Sequence, residues 1–173
     1  MKLKLNSGWI WVLAAFFLVL IIYLLLWAFH DRSVSRCNCD LNNDGIEEEL
    51  ELVGGRGSYA DFFTISAGGK EFYRIDLKAI NSWKVQTADV DGDGEMEISL
   101  GVFKTTRTDP VMSKRPFIYN WDEKGLHPKW LGSRLSRPFD DYVFYDMDQD
   151  GMDELIAIEH LADGSKVINS YES

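Results

Sequence analysis

The alternation of apolar and polar residues divides the chain into two parts of different character. Residues 9–29 form an apolar run of 21 residues without a charged side chain. From residue 40 onward, short alternating or β-rich segments follow one another between turns. A period of two places successive side chains on opposite faces of a strand. The pattern therefore predicts one N-terminal helix followed by an all-β domain.

The apolar run has the length of a membrane-spanning helix. At about 1.5 Å per residue it covers the roughly 30 Å hydrocarbon core of a bilayer. A cleaved signal peptide is the open alternative, although its apolar region is usually shorter and ends at a site of small residues. We interpret residues 1–8 as a cytoplasmic tail, 9–29 as a transmembrane anchor, 30–39 as a juxtamembrane linker and 40–173 as a domain outside the cytoplasm.

Ten segments of the domain have the composition of strands, separated by turn sequences such as SAGGK, DEKG and ADG. They lie at residues 49–54, 61–68, 70–77, 82–90, 95–103, 116–121, 125–132, 140–147, 154–161 and 165–172. We group them into about three antiparallel blades. The first blade lacks a clear opening strand and the third lacks a closing strand.

One loop motif, D-x-[DN]-x-D-G-x-x-E, occurs three times. It covers residues 40–48, 89–97 and 146–154, and each copy leads into an apolar segment. One match could arise by chance in an acidic chain, but three ordered copies indicate a repeated structural unit.

The residue types of the motif suit a hard cation. Calcium takes six to eight oxygen ligands at about 2.3–2.6 Å, whereas magnesium requires a stricter octahedron. Side chains at positions 1, 3, 5 and 9 and the carbonyl of position 7 would supply oxygens, and glycine at position 6 permits a positive φ. The predicted ligands of up to three Ca²⁺ ions are Asp40, Asn42, Asp44, Ile46 and Glu48; Asp89, Asp91, Asp93, Glu95 and Glu97; and Asp146, Asp148, Asp150, Met152 and Glu154.

Two other interpretations fit the residues of the loops less well. Turns favour Asp, Asn and Gly without any metal, but such a turn does not require a glutamate at the same offset three times. An EF-hand requires an acidic ligand at position 12 and a helix on each side. Position 12 is Leu100 in the second copy and Ala157 in the third, and the flanking sequences are typical of strands.

A strand, a D-x-D-x-D-G-x-x-E loop and a second strand together resemble the FG-GAP/VCBS repeats of integrin-α-type β-propellers. The resemblance covers residues 40–173. It implies that each loop connects the first two strands of a blade and holds one calcium ion. Three copies are fewer than the seven blades typical of that family. We therefore expect an array that is incomplete, closes on itself or pairs edge to edge with a second chain.

The charge of the chain fits these loops. The chain has 28 acidic and 18 basic residues, a net charge of −10, and the three loops hold three, four and four carboxylates. An acidic domain repels phosphates, so we expect no nucleic-acid partner. Calcium-rich surroundings outside the cytoplasm suit such a domain, which favours a cytoplasmic N-terminus.

The two cysteines, Cys37 and Cys39, are separated by one residue. This spacing is poor for a bridge between them. They are either plain thiols of the linker or the site of a disulfide to a second copy, which would give a homodimer.

No catalytic constellation is evident, so we predict that the chain is not an enzyme. His30, His127 and His160 are far apart in the sequence and near no obvious nucleophile. The basic stretch 104–115 is either a solvated loop or a site for an acidic polymer or lipid head group.

The expected function is adhesion, binding or scaffolding by a membrane-anchored calcium module with a protein or polysaccharide ligand. The alternatives are an envelope sensor or accessory subunit and a carbohydrate-active surface enzyme with structural calcium.

Overall fold

A computed structural model describes residues 7–28, 32–54, 57–122, 124–132 and 134–172, and the helix side chains from 11 to 27. The chain divides into two compact units, Met1–Arg32 and Ser33–Ser173. Residues 1–6 of the predicted tail, together with Phe29 and His30, lie outside the described residues.

The predicted N-terminal helix is present as α1, Ser7–Ala28. Its composition of Leu, Ala, Phe and Trp with few polar residues contains no helix breaker beyond Gly8. The described large apolar side chains of α1 are exposed, from 38% for Leu20 to 77% for Trp11. In the part of the chain that the structure describes, no helix meets the length and apolarity needed to cross a membrane.

Eleven strands in the described residues form three antiparallel sheets. The first sheet contains β1 Arg32–Cys39, β2 Glu48–Gly54, β3 Phe62–Ala67 and β4 Lys70–Asp76. The middle sheet contains β5 Ser82–Ala88, β6 Glu97–Lys104, β7 Ser113–Asp122 and β8 Gly125–Leu131. The third sheet contains β9 Phe139–Tyr145, β10 Glu154–His160 and β11 Lys166–Tyr171. Within each sheet, strands that follow one another in the sequence are neighbours.

The mostly β fold and all ten predicted strands are confirmed, with ends that differ by a few residues. The hairpin of SAGGK is also confirmed, because Gly68 and Gly69 adopt φ values of 57° and 78° between the paired residues Ala67 and Lys70. Over the described residues, the three sheets do not make a clear propeller.

Residues 32–39, which lie within the segment interpreted as a juxtamembrane linker, form β1 and open the first sheet. Only Val34, Cys37 and Cys39 of this segment pack against the core. The remaining residues of this edge strand are polar, so the sequence carries little of the apolar alternation that identified the other strands.

Apolar clusters lie between the first and middle sheets and between the middle and third sheets. One cluster joins the first and middle sheets, with Leu50, Phe63, Ile98 and Leu100 fully buried. A smaller cluster joins the middle and third sheets and consists of Ala88, Val90 and Ile118, with Trp130 and Phe144 packed against it. The interior of the third sheet surrounds Tyr142, which is 1% exposed.

Candidate metal sites

Each acidic loop connects the first strand of its sheet to the second. The first loop (residues 40–48) joins β1 to β2, the middle loop (89–97) joins β5 to β6, and the third loop (146–154) joins β9 to β10. The last residue of each loop is a glutamate that begins the second strand. The three sites are therefore anchored on strands at both ends.

The position 1 aspartate of each loop accepts a hydrogen bond from the backbone N–H of the position 6 glycine. The distances are 2.8 Å for Gly45 to Asp40, 2.9 Å for Gly94 to Asp89 and 3.1 Å for Gly151 to Asp146. The glycines adopt φ values of 85°, 84° and 93°. A residue with a Cβ rarely adopts this conformation, which explains the glycine at the same position three times.

Two further hydrogen bonds repeat in all three loops. The position 5 aspartate accepts from the N–H of position 7, at 2.8 Å in Asp44–Ile46, 2.8 Å in Asp93–Glu95 and 2.9 Å in Asp150–Met152. The position 9 glutamate accepts from the N–H of position 2, at 2.9 Å in Glu48–Leu41, 3.0 Å in Glu97–Val90 and 2.7 Å in Glu154–Met147. The three copies of the motif thus have one common hydrogen-bond pattern.

The third loop brings all four of its predicted carboxylate ligands together. Asp146, Asp148, Asp150 and Glu154 each offer an oxygen, and these oxygens lie within 4.8 Å of one another. Ligands about 2.3–2.6 Å from one ion have separations in this range. This group could hold a metal ion, and its all-oxygen chemistry fits a hard cation.

The middle loop gathers three of its four carboxylates, those of Asp89, Asp91 and Glu97. Asp93 is not part of the group. The ammonium of Lys129 contacts Asp91 Oδ2 and lies 2.6 Å from Glu97 Oε1. Because Lys129 donates a hydrogen bond to Asp91 and is positively charged, the pKa of Asp91 is lowered.

The first loop differs from the other two, because its carboxylates do not form such a group among the described residues. Position 3 is Asn42, whose amide donates to Asp44 Oδ2 at 3.2 Å. This hydrogen bond occupies an oxygen that a cation would use. The donor set still contains only oxygen ligands, with one carboxylate fewer than in each of the other loops.

The predicted carbonyl ligands at position 7 are Ile46, Glu95 and Met152. All three lie at the end of the acidic turn. Their N–H groups donate to the position 5 aspartate, and these hydrogen bonds fix the backbone of the residues whose carbonyls are the predicted ligands. Of the three loops, the third fits a hard cation best, the middle loop fits one with a competing lysine, and the first loop fits less well.

The middle and third loops are joined by two hydrogen bonds. The N–H of Asp89 donates to Asp153 Oδ2 at 3.0 Å, and the N–H of Asp153 donates to the carbonyl of Asp89 at 2.8 Å. The side chain of Met152 also lies so close to Gly92 that a Cβ there would come within 2.8 Å of its Cγ. The motif gives no indication of the Asp89–Asp153 contact, because Asp153 is at position 8, which the motif leaves open.

Cys37 and Cys39 are free thiols that are half-buried against the core of the first and middle sheets. Burial, with the nearby Cys39 adding to it, raises the pKa of Cys37 to about 12. Such a thiol is mostly neutral and therefore a poor nucleophile at ordinary pH.

Three of the four basic side chains in the stretch 104–115 make contacts with the rest of the domain, and Arg107 is exposed. Arg115 is fully buried, and Lys114 lies 4.3 Å from the ring centre of Trp83. Lys104 lies over the ring of Phe117. These contacts leave less free positive charge for an acidic polymer than the sequence suggested.

A cavity of about 470 Å³ opens between the middle and third sheets beside the middle loop. Its apolar lining includes Ile118, Trp130, Phe144 and Leu155. The buried carboxylate next to this region, Glu159, is surrounded by donors from Ser136, Arg137, Asn169 and Tyr171. Through these hydrogen bonds, Glu159 holds the segment before β9 against the third sheet.

No protein-family model matches the chain, and no curated protein matches it.

Proposed function

We propose that the chain is a calcium-binding β-repeat protein outside the cytoplasm that acts as a binding or scaffolding module. The observation that carries this proposal is the third loop, where four carboxylates offer oxygens within 4.8 Å of one another. The same hydrogen-bond pattern in all three loops supports a common role for them. The antiparallel sheets would then act as blade-like units that each present one acidic loop.

Calcium would contribute to the stability of the domain in this proposal. At a free concentration tenfold above Kd, one site adds roughly 1.4 kcal/mol to the free energy of unfolding. Sites of external modules typically have Kd values of about 10⁻⁴–10⁻³ M. Even one filled loop would thus be a substantial part of a typical total of about 5–15 kcal/mol.

The test is a titration of the full chain in detergent micelles with calcium, measured by calorimetry. Thermal melts of the same chain in calcium and in chelator are the second measurement. We expect Asp148→Asn to weaken calcium binding at the third loop at least tenfold, because it removes a charged ligand. Glu172→Gln is the matched control, since it removes one negative charge outside the three loops. A wild-type chain that binds no calcium and melts equally in both conditions contradicts the proposal.

The membrane location is a separate part of the proposal. It rests on the uncharged apolar run of residues 9–29, which extends beyond the described helix side chains at both ends. The exposed apolar side chains of α1 require an apolar environment or a partner. We expect the full chain to stay with membranes after alkaline carbonate extraction, and a chain released into the supernatant contradicts an anchor.

A protein or polysaccharide is the proposed ligand, and the cavity beside the middle loop offers an apolar surface for part of it. We propose no catalytic activity.

A homodimer would form through the edges of the sheets in preference to Cys37 and Cys39, because burial suppresses the reactivity of these thiols.

A further inference from the structure

The middle loop contains a cation supplied by the chain itself. Lys129 lies on β8, the last strand of the middle sheet, and its ammonium contacts the carboxylates at positions 3 and 9 of the loop. These are Asp91 and Glu97, two of the three carboxylates that come together at this site. The ammonium therefore lies where these two ligands would meet a metal ion.

A bulge in β8 places Lys129 at this site. In the pairing with β7, Ile118 is opposite Trp130 and Tyr119 is opposite Pro128, so Lys129 is the extra residue without a partner. A bulge bends its strand and changes the direction of the extra side chain. The backbone of the sheet thus directs the side chain of Lys129 toward the loop.

Glu97, the buried partner of Lys129, needs a positive charge beside it. The side chain of Glu97 is only 3% exposed, and its second oxygen already accepts the N–H of Val90 at 3.0 Å. A buried carboxylate is costly unless a positive charge or a metal ion neutralises it. The ammonium of Lys129, whose side chain is 24% exposed, provides that charge without any bound metal.

In the part of the chain that the structure describes, the two outer loops have no such lysine. Among the described residues, no Lys or Arg nitrogen lies within 4.0 Å of the carboxylates of Asp148 and Glu154, or of Glu48 in the first loop. In the third loop all four carboxylates converge, whereas in the middle loop Asp93 stays outside the group. The difference between the middle and third loops thus coincides with the presence of the lysine, whereas the first loop differs from both by having Asn42 at position 3.

We propose that Lys129 is the resident cation of the middle loop, so that calcium must displace it and binds there more weakly than at the third loop. This inference rests on the proposed calcium function. The middle loop then keeps its folded shape in chelator, while the third loop depends on the ion. The loops would fill at different calcium concentrations although their motifs are nearly the same.

The test uses Lys129→Met, which retains the apolar stem of the side chain and removes its charge. Asp40→Asn and Asp148→Asn are introduced into the full chain to weaken the outer loops, so that calcium binding reports on the middle loop. In this background we expect Lys129→Met to bind calcium at least tenfold more tightly. We also expect its melting temperature to fall in chelator and to recover in calcium.

Lys124→Met is the matched control, because it removes one positive charge from the turn before the same strand. Lys129→Arg retains the charge and should behave like the parent, which separates loss of charge from loss of folding. Equal calcium affinity in Lys129→Met and its parent, with a third loop that binds calcium in the wild-type chain, overturns this inference alone. A wild-type chain without calcium binding at any loop overturns the proposed function.

Discussion

At the scale of single residues, the loops show how few side chains define a site. The glycine at position 6 and the glutamate at position 9 act through the backbone, the first by its positive φ and the second by its hydrogen bond to position 2. The residue at position 4 also has a positive φ, at 57° in Asn43, 71° in Gly92 and 65° in Gln149. Asn and Gly tolerate this region readily, whereas Gln149 is held there by its loop.

The thiol of Cys37 gives a prediction for alkaline pH. Burial raises the pKa of Cys37 to about 12 in the folded chain, against about 8.5 in an unfolded chain. Below pH 8 the thiol is neutral in both states and has no effect. As pH rises toward 12, only the unfolded chain loses the proton, so the stability of the fold decreases.

We expect this decrease to be smaller by about 2.5 kcal/mol at pH 10.5 in Cys37→Ser, which has no thiol to titrate at this position, because pH 10.5 lies about two units above the unfolded pKa. Urea unfolding of both chains at pH 8 and 10.5 measures it. Identical losses of stability in the two chains contradict the burial of a neutral thiol at this position.

At the scale of elements, Arg115 connects three separate segments. Its guanidinium donates to the carbonyls of Lys104, Val111 and Gly132 and to Asp109 Oδ2, at 2.8–3.0 Å. The basic residues of the stretch 104–115 indicated a surface loop, yet this side chain is fully buried. Sequence alone does not distinguish an arginine that binds carbonyls inside a fold from one in solvent, because its burial depends on how the fold arranges residues such as Lys104 and Gly132 around it.

Arg115→Met is expected to lower the free energy of unfolding by about 3 kcal/mol, because it leaves buried carbonyls and Asp109 without their main donor. Arg134→Met is the matched control, since Arg134 also pairs with Asp109, at 2.5 Å, but is 50% exposed. An exposed pair contributes about 0–1 kcal/mol. Urea unfolding of the two variants measures the difference, and equal losses would show that the buried position of Arg115 is unimportant.

The elements that were predicted correctly are those with a strong local pattern in the sequence. Strand β6, with alternating apolar residues, and strand β10, with a continuous apolar run, were predicted to within a few residues. The polar strand β1 was missed, because its place depends on pairing with β2 and not on its own composition. The loop motif identified the carboxylates that come together in the middle and third loops, but Lys129 and Asp153 reach these loops from the bulge of β8 and from the neighbouring loop. Three-dimensional contacts of that kind leave no regular spacing in the sequence.

At the scale of the whole molecule, the contact between the middle and third loops connects two sheets. The hydrogen bonds between Asp89 and Asp153 run in both directions. We expect Asp153→Ala to lower the free energy of unfolding by about 1.5 kcal/mol in chelator, because the N–H of Asp89 loses a charged acceptor.

Glu47→Ala is the control for Asp153→Ala, since Glu47 occupies position 8 of the first loop and is exposed. We expect a change of less than about 0.5 kcal/mol there. Denaturant unfolding of both variants in chelator provides the measurement. A loss of similar size in Glu47→Ala would show that position 8 acts through its charge and not through the contact between loops.

The crowding of carboxylates in the third loop has a further consequence for the protein without calcium. Four negative side chains within one turn repel one another, and mobile ions weaken this repulsion over a Debye length of about 10 Å at 0.1 M ionic strength. Sodium chloride should therefore raise the melting temperature in chelator more than it does in calcium. If the loops bind calcium as proposed, the fold would respond both to the general salinity of its surroundings and to one specific ion.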